Sequence, residues 1–336
     1  MFAKLPSLFA KRSHLFAKHQ LLFAKPTFDP PQSSLHQQLV IFFIIVYNIY
    51  SFKNLKILID RGIALVMVKE TNPSRLNLLK IPSGEDIIIG RMYVAVGEGP
   101  HATVVLLHGF PGVMMNLDTA SELQQQGWNV LVINYRGAWG SQGSFSFTHS
   151  LEDVRAALHY IKQTEVAKQN RIDRERIALV GHSFGGFLAL KAASLEPSIK
   201  AVASLSGANF GLFPQMLDQD PSFETQITAV LRESIFFLNG ASVESIMEEV
   251  RFHQQEWNTF LLAPLLTNRK LLLTAAVFDE ELPKPYFHDP LVTALEKAGA
   301  QHLQCEVFES DHNYNNKRKE IALTLHNWLN EALSVL

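Results

Sequence analysis

The chain has 336 residues, 47% hydrophobic and 18% charged, with a formal net charge of −2. That balance excludes a disordered chain and gives no basic footprint for nucleic acid, and the length suits one large α/β domain. The one cysteine, Cys305, excludes an intramolecular disulfide and fits a reducing compartment.

The N-terminal part differs in character from the rest. Phe-Ala-Lys recurs at Phe2, Phe9, Phe16 and Phe23, but Pro6 and Pro26 break any helix, and a coiled coil needs two sustained apolar seams. The repeat reads as low-complexity sequence. The apolar run 39–52 that follows is shorter than the ~20 residues that span a bilayer. It is followed by Lys53 and Lys56, so any membrane association is expected to pass through this run, as an anchor. Otherwise the protein is expected to be cytoplasmic. We expect 1–66 to be a poorly ordered or non-native extension, Met67 to be the natural start, and 67–336 to form the compact domain.

From Ser74 onward the pattern becomes regular. Leu76–Ile81 and Ile87–Val96, joined by Pro82-Ser83-Gly84, predict an antiparallel hairpin. Thr103–Leu107 is a continuous apolar run of the kind buried on both faces of a sheet. A helix is expected from Met115 to Gln126, a strand from Val130 to Tyr135 and a helix from Leu151 to Gln163. Arg176–Val180, Ala201–Leu205, Leu271–Val277 and Gln304–Phe308 read as further strands. The last helix, about Lys319 to Leu333, carries the apolar stripe Ile321, Leu325, Trp328, Leu329 and Ala332. Alternating strands and helices predict an α/β fold, a mostly parallel sheet with helices on both faces. Cys305, inside an expected strand, reads as a small core residue.

Gly181-His182-Ser183-Phe184-Gly185 follows the strand and leads straight into the helical run from Phe187 to Ala193. Strand, Gly-x-Ser-x-Gly and helix form a nucleophile elbow, a sharp turn that exposes the serine hydroxyl at the end of the sheet. A serine nucleophile at neutral pH needs a general base, and the base needs an orienting acid. Of the histidines downstream, only His312 lies in a polar loop just past a late strand, so it is the expected base. Asp279 comes first after the preceding strand and is the expected acid, with Glu280 or Glu281 in its place if that strand runs further. The oxyanion donors are expected to be the backbone N–H groups of Phe184 and Phe110, the latter in the loop His108-Gly109-Phe110-Pro111-Gly112. His108 precedes the nucleophile and reads as a histidine that braces this loop.

Taken together these pieces resemble the α/β-hydrolase superfamily over roughly Leu76 to Leu333. The Arg136-Gly137-Ala138-Trp139-Gly140-Ser141 loop is similar to one shared by dienelactone-hydrolase-like esterases and the S9 (prolyl oligopeptidase) hydrolase domain. The resemblance implies an α/β-hydrolase fold and cleavage of a carboxylic ester, thioester or amide through an acyl-enzyme on Ser183. It implies no metal or organic cofactor, and gives Arg136 the role of bracing loops around the elbow. It also implies that an insertion at about 209–266 is a small helical cap. Phe210, Phe213, Phe223, Phe236, Phe237, Phe252, Trp257 and Phe260 concentrate there and point to a small-molecule ester with an apolar group. Two alternatives stand beside this one: a small S9-like peptidase, and a non-catalytic binding protein on the same fold.

Overall fold

Alternation along the central strands decides the architecture. In β3 (His101–Leu107), Val105 and Leu107 join one hydrophobic cluster, while Val104 and Leu106 join another on the opposite face. β4 (Asn129–Asn134) and β5 (Ile172–His182) repeat the split, with Leu131 and Leu179 on the first face and Val132 and Val180 on the second. These side chains are fully buried, and each contributes about 1.5–3 kcal/mol relative to exposure. A strand apolar on both faces needs a layer of helices on each side.

The structure is a computed structural model that describes residues 72–219 and 221–334. The extension 1–66, its repeat and the apolar run 39–52 lie outside the described residues. Among the described residues the sheet has eight strands in the order β1-β2-β4-β3-β5-β6-β7-β8. β1 (Arg75–Ser83) and β2 (Asp86–Val94) form the expected hairpin, and β2 runs antiparallel to β4. All other pairings, through β6 (Ala201–Leu205), β7 (Lys270–Ala276) and β8 (His302–Phe308), are parallel.

On one face α1 (Leu117–Gln125) packs near the last helix, α10 (Arg318–Ala332), whose expected stripe from Ile321 to Ala332 is buried. The other face is covered by α2 (Phe147–Ile161), α4 (Phe184–Leu195) and α9 (Lys284–Ala298). Between β6 and β7 the chain forms α5 (Phe213–Gln219), α6 (Pro221–Ser234), α7 (Val243–Phe252) and the short α8 (Ala263–Leu266), with 3₁₀ turns between them. Among the described residues no helix is long and apolar enough to cross a membrane.

Three expectations change. α2 starts a turn earlier than Leu151, because Ser146 caps it by accepting the His149 N–H at 3.0 Å. α3 (Thr164–Asn170) and α9 are additional helices. Prolines mask α9 in the sequence: Pro285 sits in its first turn, where a missing N–H costs nothing, and Pro290 lies inside it. Cys305 is exposed, not in the core. β8 is the outer strand of the sheet, and its neighbours alternate between exposed and half-buried.

Candidate active site

The central feature is the backbone at Ser183, with φ 56° and ψ −117° between β5 and α4. A non-glycine residue reaches this region only when its surroundings hold it there. Here the Ser183 N–H donates to the Leu205 carbonyl at 2.9 Å, and its own carbonyl accepts from Gly186 and Ala208 at 2.9 and 3.1 Å. The flanking glycines are required by close approach. A Cβ on Gly181 would stand 1.9 Å from the Gly185 carbonyl oxygen, and one on Gly185 would stand 2.1 Å from that of Leu107.

The structure brings His312 and Asp279 together. Nδ1 of His312 lies 2.8 Å from Asp279 Oδ2, with both residues 6% exposed. Asp279 Oδ1 accepts the N–H groups of Glu281 and Leu282 at 3.0 and 2.8 Å, so one oxygen is held by the turn and the other is left for the imidazole. Of the three adjacent acids, Asp279 is the one on Nδ1. The Glu281 carboxylate instead reaches 3.7 Å from Nε2. Glu280 makes neither a hydrogen bond nor an ion pair with this histidine.

Ser183 joins this pair through its neighbour. His182 and the His312 carbonyl oxygen are 2.8 Å apart, and the two imidazole rings are 4.9 Å apart. Ser183 Oγ itself makes no hydrogen bond among the described residues. Tyr314, two residues past the base, is fully buried, with its hydroxyl 2.8 Å from Ser206 Oγ and 2.7 Å from Thr274 Oγ1. It fastens the His312 loop to the ends of β6 and β7. Sequence reasoning missed both His182 and Tyr314 as supports, because neither role shows in local spacing.

The loop His108–Gly112 lies against the serine: a Cβ on Gly109 would stand 3.2 Å from Ser183 Cβ. The backbone N–H groups of Phe110 and Phe184 have no acceptor among the described residues. His108 braces the loop as expected. Its Nδ1–H donates to the Gly109 carbonyl at 2.8 Å and its ring packs on Tyr135, whose hydroxyl donates to the His108 carbonyl at 3.0 Å. Arg136 is also a brace. Its backbone N–H and Nε both donate to Asp153 at 2.7 Å, and its guanidinium also bonds Glu152.

Residues 209–266 are stitched to the core. Glu249 of α7 accepts the N–H groups of Phe147 and Thr148 at 2.9 and 2.8 Å, a charged cap on the start of α2. Asn239 and Gly137 share a backbone bond of 2.7 Å. The aromatic residues divide. Phe210 and Trp257 are buried against Phe147 and Phe187, while Phe236 and Phe252 are 86% and 84% exposed. Phe237 stacks on Trp139, whose indole donates to the Pro111 carbonyl beside the Phe110 loop. The side chain of Phe223 lies outside the described residues.

Burial holds His182 at a pKa of about 3 and His108 at about 4, so both are neutral. The His182 Nε2 therefore carries the proton and donates to the His312 carbonyl. In the unfolded chain both groups protonate below about pH 6.5. Their folded values are depressed, so stability is full above that pH and is lost as the pH falls toward 4. The loss is up to about 1.4 kcal/mol per pH unit for each histidine. Urea denaturation at pH 7 and pH 5 is expected to show this slope, and His182→Asn to remove about half of it. An unchanged slope in that variant would show that His182 is not held neutral.

A mostly parallel sheet whose central strand turns through a positive-φ serine into a helix, with a buried histidine–carboxylate pair against the residue before that serine, defines a hydrolase-type scaffold. The chain belongs to the α/β hydrolase fold family, whose model matches residues 102–292. It is 29% identical over 143 residues to acylamino-acid-releasing enzyme 1 of Oryza sativa subsp. japonica, a stretch that is 39% of this chain and 17% of that enzyme. It is 29% identical over 126 residues to thiohydrolase apmlB of Arthrinium phaeospermum, covering 36% of this chain and 39% of that one. The matched stretch thus spans well under half the length of these two relatives. Est1E from Butyrivibrio proteoclasticus, in a structure with ferulic acid, superposes with a TM-score of 0.58 at 16% identity, over 76% of this chain and 100% of that one. The Pyrococcus horikoshii acylaminoacyl peptidase gives a TM-score of 0.57 at 16% identity, over 79% of this chain and 42% of that one. At such identities the structural likeness shows the fold.

Proposed function

We propose that this protein is a serine hydrolase that cleaves a carboxylic ester through an acyl-enzyme on Ser183. The observation that carries the reading is the buried His312–Asp279 pair, 2.8 Å apart and tied to His182, the residue next to a serine at φ 56°. Asp279 fixes the imidazole with its proton on Nδ1, which leaves the Nε2 lone pair free to take the Ser183 proton. The serine oxygen attacks the carbonyl, and the Phe110 and Phe184 N–H groups hold the oxyanion. His312 then returns the proton to the leaving alcohol, and a water repeats the sequence to release the acid. Phe110, partly exposed on the buried rings of Phe145, Phe147 and Phe184, lies at these donors and favours an apolar acyl group. Thioester and amide cleavage use the same steps. The rice and fungal relatives support them as a second reading.

Labelling with a fluorophosphonate probe tests the proposal. Wild-type protein is expected to be labelled covalently, and Ser183→Ala to lose the label. Absence of labelling in folded wild-type protein, or labelling that persists in the variant, would overturn it and favour a binding role for the fold.

A further inference from the structure

The turn after Asp279 carries a second carboxylate to the base. The Glu281 and Leu282 N–H groups both bond Asp279 Oδ1, so the turn wraps the carboxylate that holds His312. This leaves the Glu281 side chain 66% exposed, with its oxygen 3.7 Å from His312 Nε2. No lysine or arginine neutralises it among the described residues. Lys284 is paired with Asp289 at 2.8 Å, Lys317 with Glu320 at 2.9 Å, and Arg318 with Asp118 at 2.6 Å. The open charge beside the base is therefore negative.

Its place relative to the substrate follows from the chemistry. Nε2 of His312 takes the serine proton and hands it to the leaving atom, so the leaving group must come up to that nitrogen. A carboxylate next to Nε2 faces the leaving group, while the acyl group goes to the partly exposed Phe110 beside the oxyanion donors. We propose that Glu281 selects a cationic leaving group, so that the preferred substrates are esters of an apolar acid with an amino or quaternary-ammonium alcohol. The proposal rests on the reading of Ser183 and His312 given above. Two opposite charges a few ångströms apart at a wet surface are worth about a fivefold preference, and salt weakens it.

The test uses two phosphonothiolate probes that differ only in the leaving thiol. One releases 2-(trimethylammonio)ethanethiol and the other the uncharged isostere 3,3-dimethylbutanethiol. In both, Ser183 Oγ bonds to phosphorus, the P–S bond breaks, and the thiol leaves with the proton carried by His312. The readout is the ratio of the two inactivation rate constants, cationic over neutral. This ratio cancels any effect of Glu281 on the base that is common to both probes, and it does not depend on the active fraction. The ratio is expected to fall about fivefold in Glu281→Gln and more than tenfold in Glu281→Lys, and to stay within twofold in Glu280→Gln. Raising the salt is expected to move the wild-type ratio toward that of Glu281→Gln. Ser183-dependent inactivation with the same ratio in wild type and Glu281→Gln overturns this proposal alone. No inactivation by either probe, or inactivation that survives Ser183→Ala, overturns the serine reading and this proposal with it.

Discussion

Asp279→Asn is expected to lower kcat by about three to four orders of magnitude while KM changes by less than about threefold. The reason lies in how the carboxylate is shared. Oδ1 accepts two backbone N–H groups at 3.0 and 2.8 Å, which fixes that side as an acceptor. An asparagine must keep its carbonyl there, and its NH₂ then faces His312 Nδ1 at the position Oδ2 holds now. An NH₂ donates and cannot accept, so the ring must turn its lone pair to Nδ1 and carry its proton on Nε2. In that tautomer it cannot take the serine proton. The turn bonds survive, so the fold is expected to persist, with a melting temperature close to that of the wild type. Steady-state kinetics on an apolar ester and a thermal melt check both halves. A loss of less than tenfold in kcat would remove Asp279 from the role of orienting acid.

Gly185→Ala is expected to cost more than about 4 kcal/mol or to leave no soluble protein. The added Cβ would lie 2.1 Å from the Leu107 carbonyl oxygen, 2.6 Å from its carbon and 2.8 Å from the His108 carbonyl oxygen. All three are backbone atoms, so no side chain can swing aside. β3 is paired on both sides, to β4 and β5, and cannot retreat without breaking two ladders. The start of α4 must move instead, taking Ser183 and the Phe184 N–H with it. Urea denaturation reads the loss of stability, and the fluorophosphonate probe reads the site in whatever remains folded. Wild-type stability with wild-type labelling would show that helix and strand do not meet as closely as described.

Much of this site can be read along the chain because its parts are local. A nucleophile elbow is five residues between a strand and a helix, and its glycines announce where backbones meet. The two-sided burial of β3, β4 and β5 shows as unbroken apolar runs, and the helical stripe of α10 shows as spacing. The Phe110 loop and the His312 loop each follow a strand by a residue or a few. In every case the determining contacts lie within a few positions of one another, where periodicity and turn chemistry act.

Other features depend on residues far apart in the sequence, and no spacing encodes them. Asp279 comes first after its strand, yet Glu280 and Glu281 stay open in the chain; the choice is made where the turn folds round one carboxylate, which then meets a histidine 33 positions on. Glu249 caps a helix that starts about a hundred residues earlier. The aromatic residues between β6 and β7 look alike in sequence, yet Trp257 is buried and Phe252 exposed, depending on which side faces the sheet layer. Cys305 sits in a strand and is still exposed, because β8 ends up at the sheet's edge. Local chemistry fixes which element forms and where it turns. Burial and pairing come from the surfaces that later elements bring against it, and those are set only when the sheet and its two helical layers have assembled.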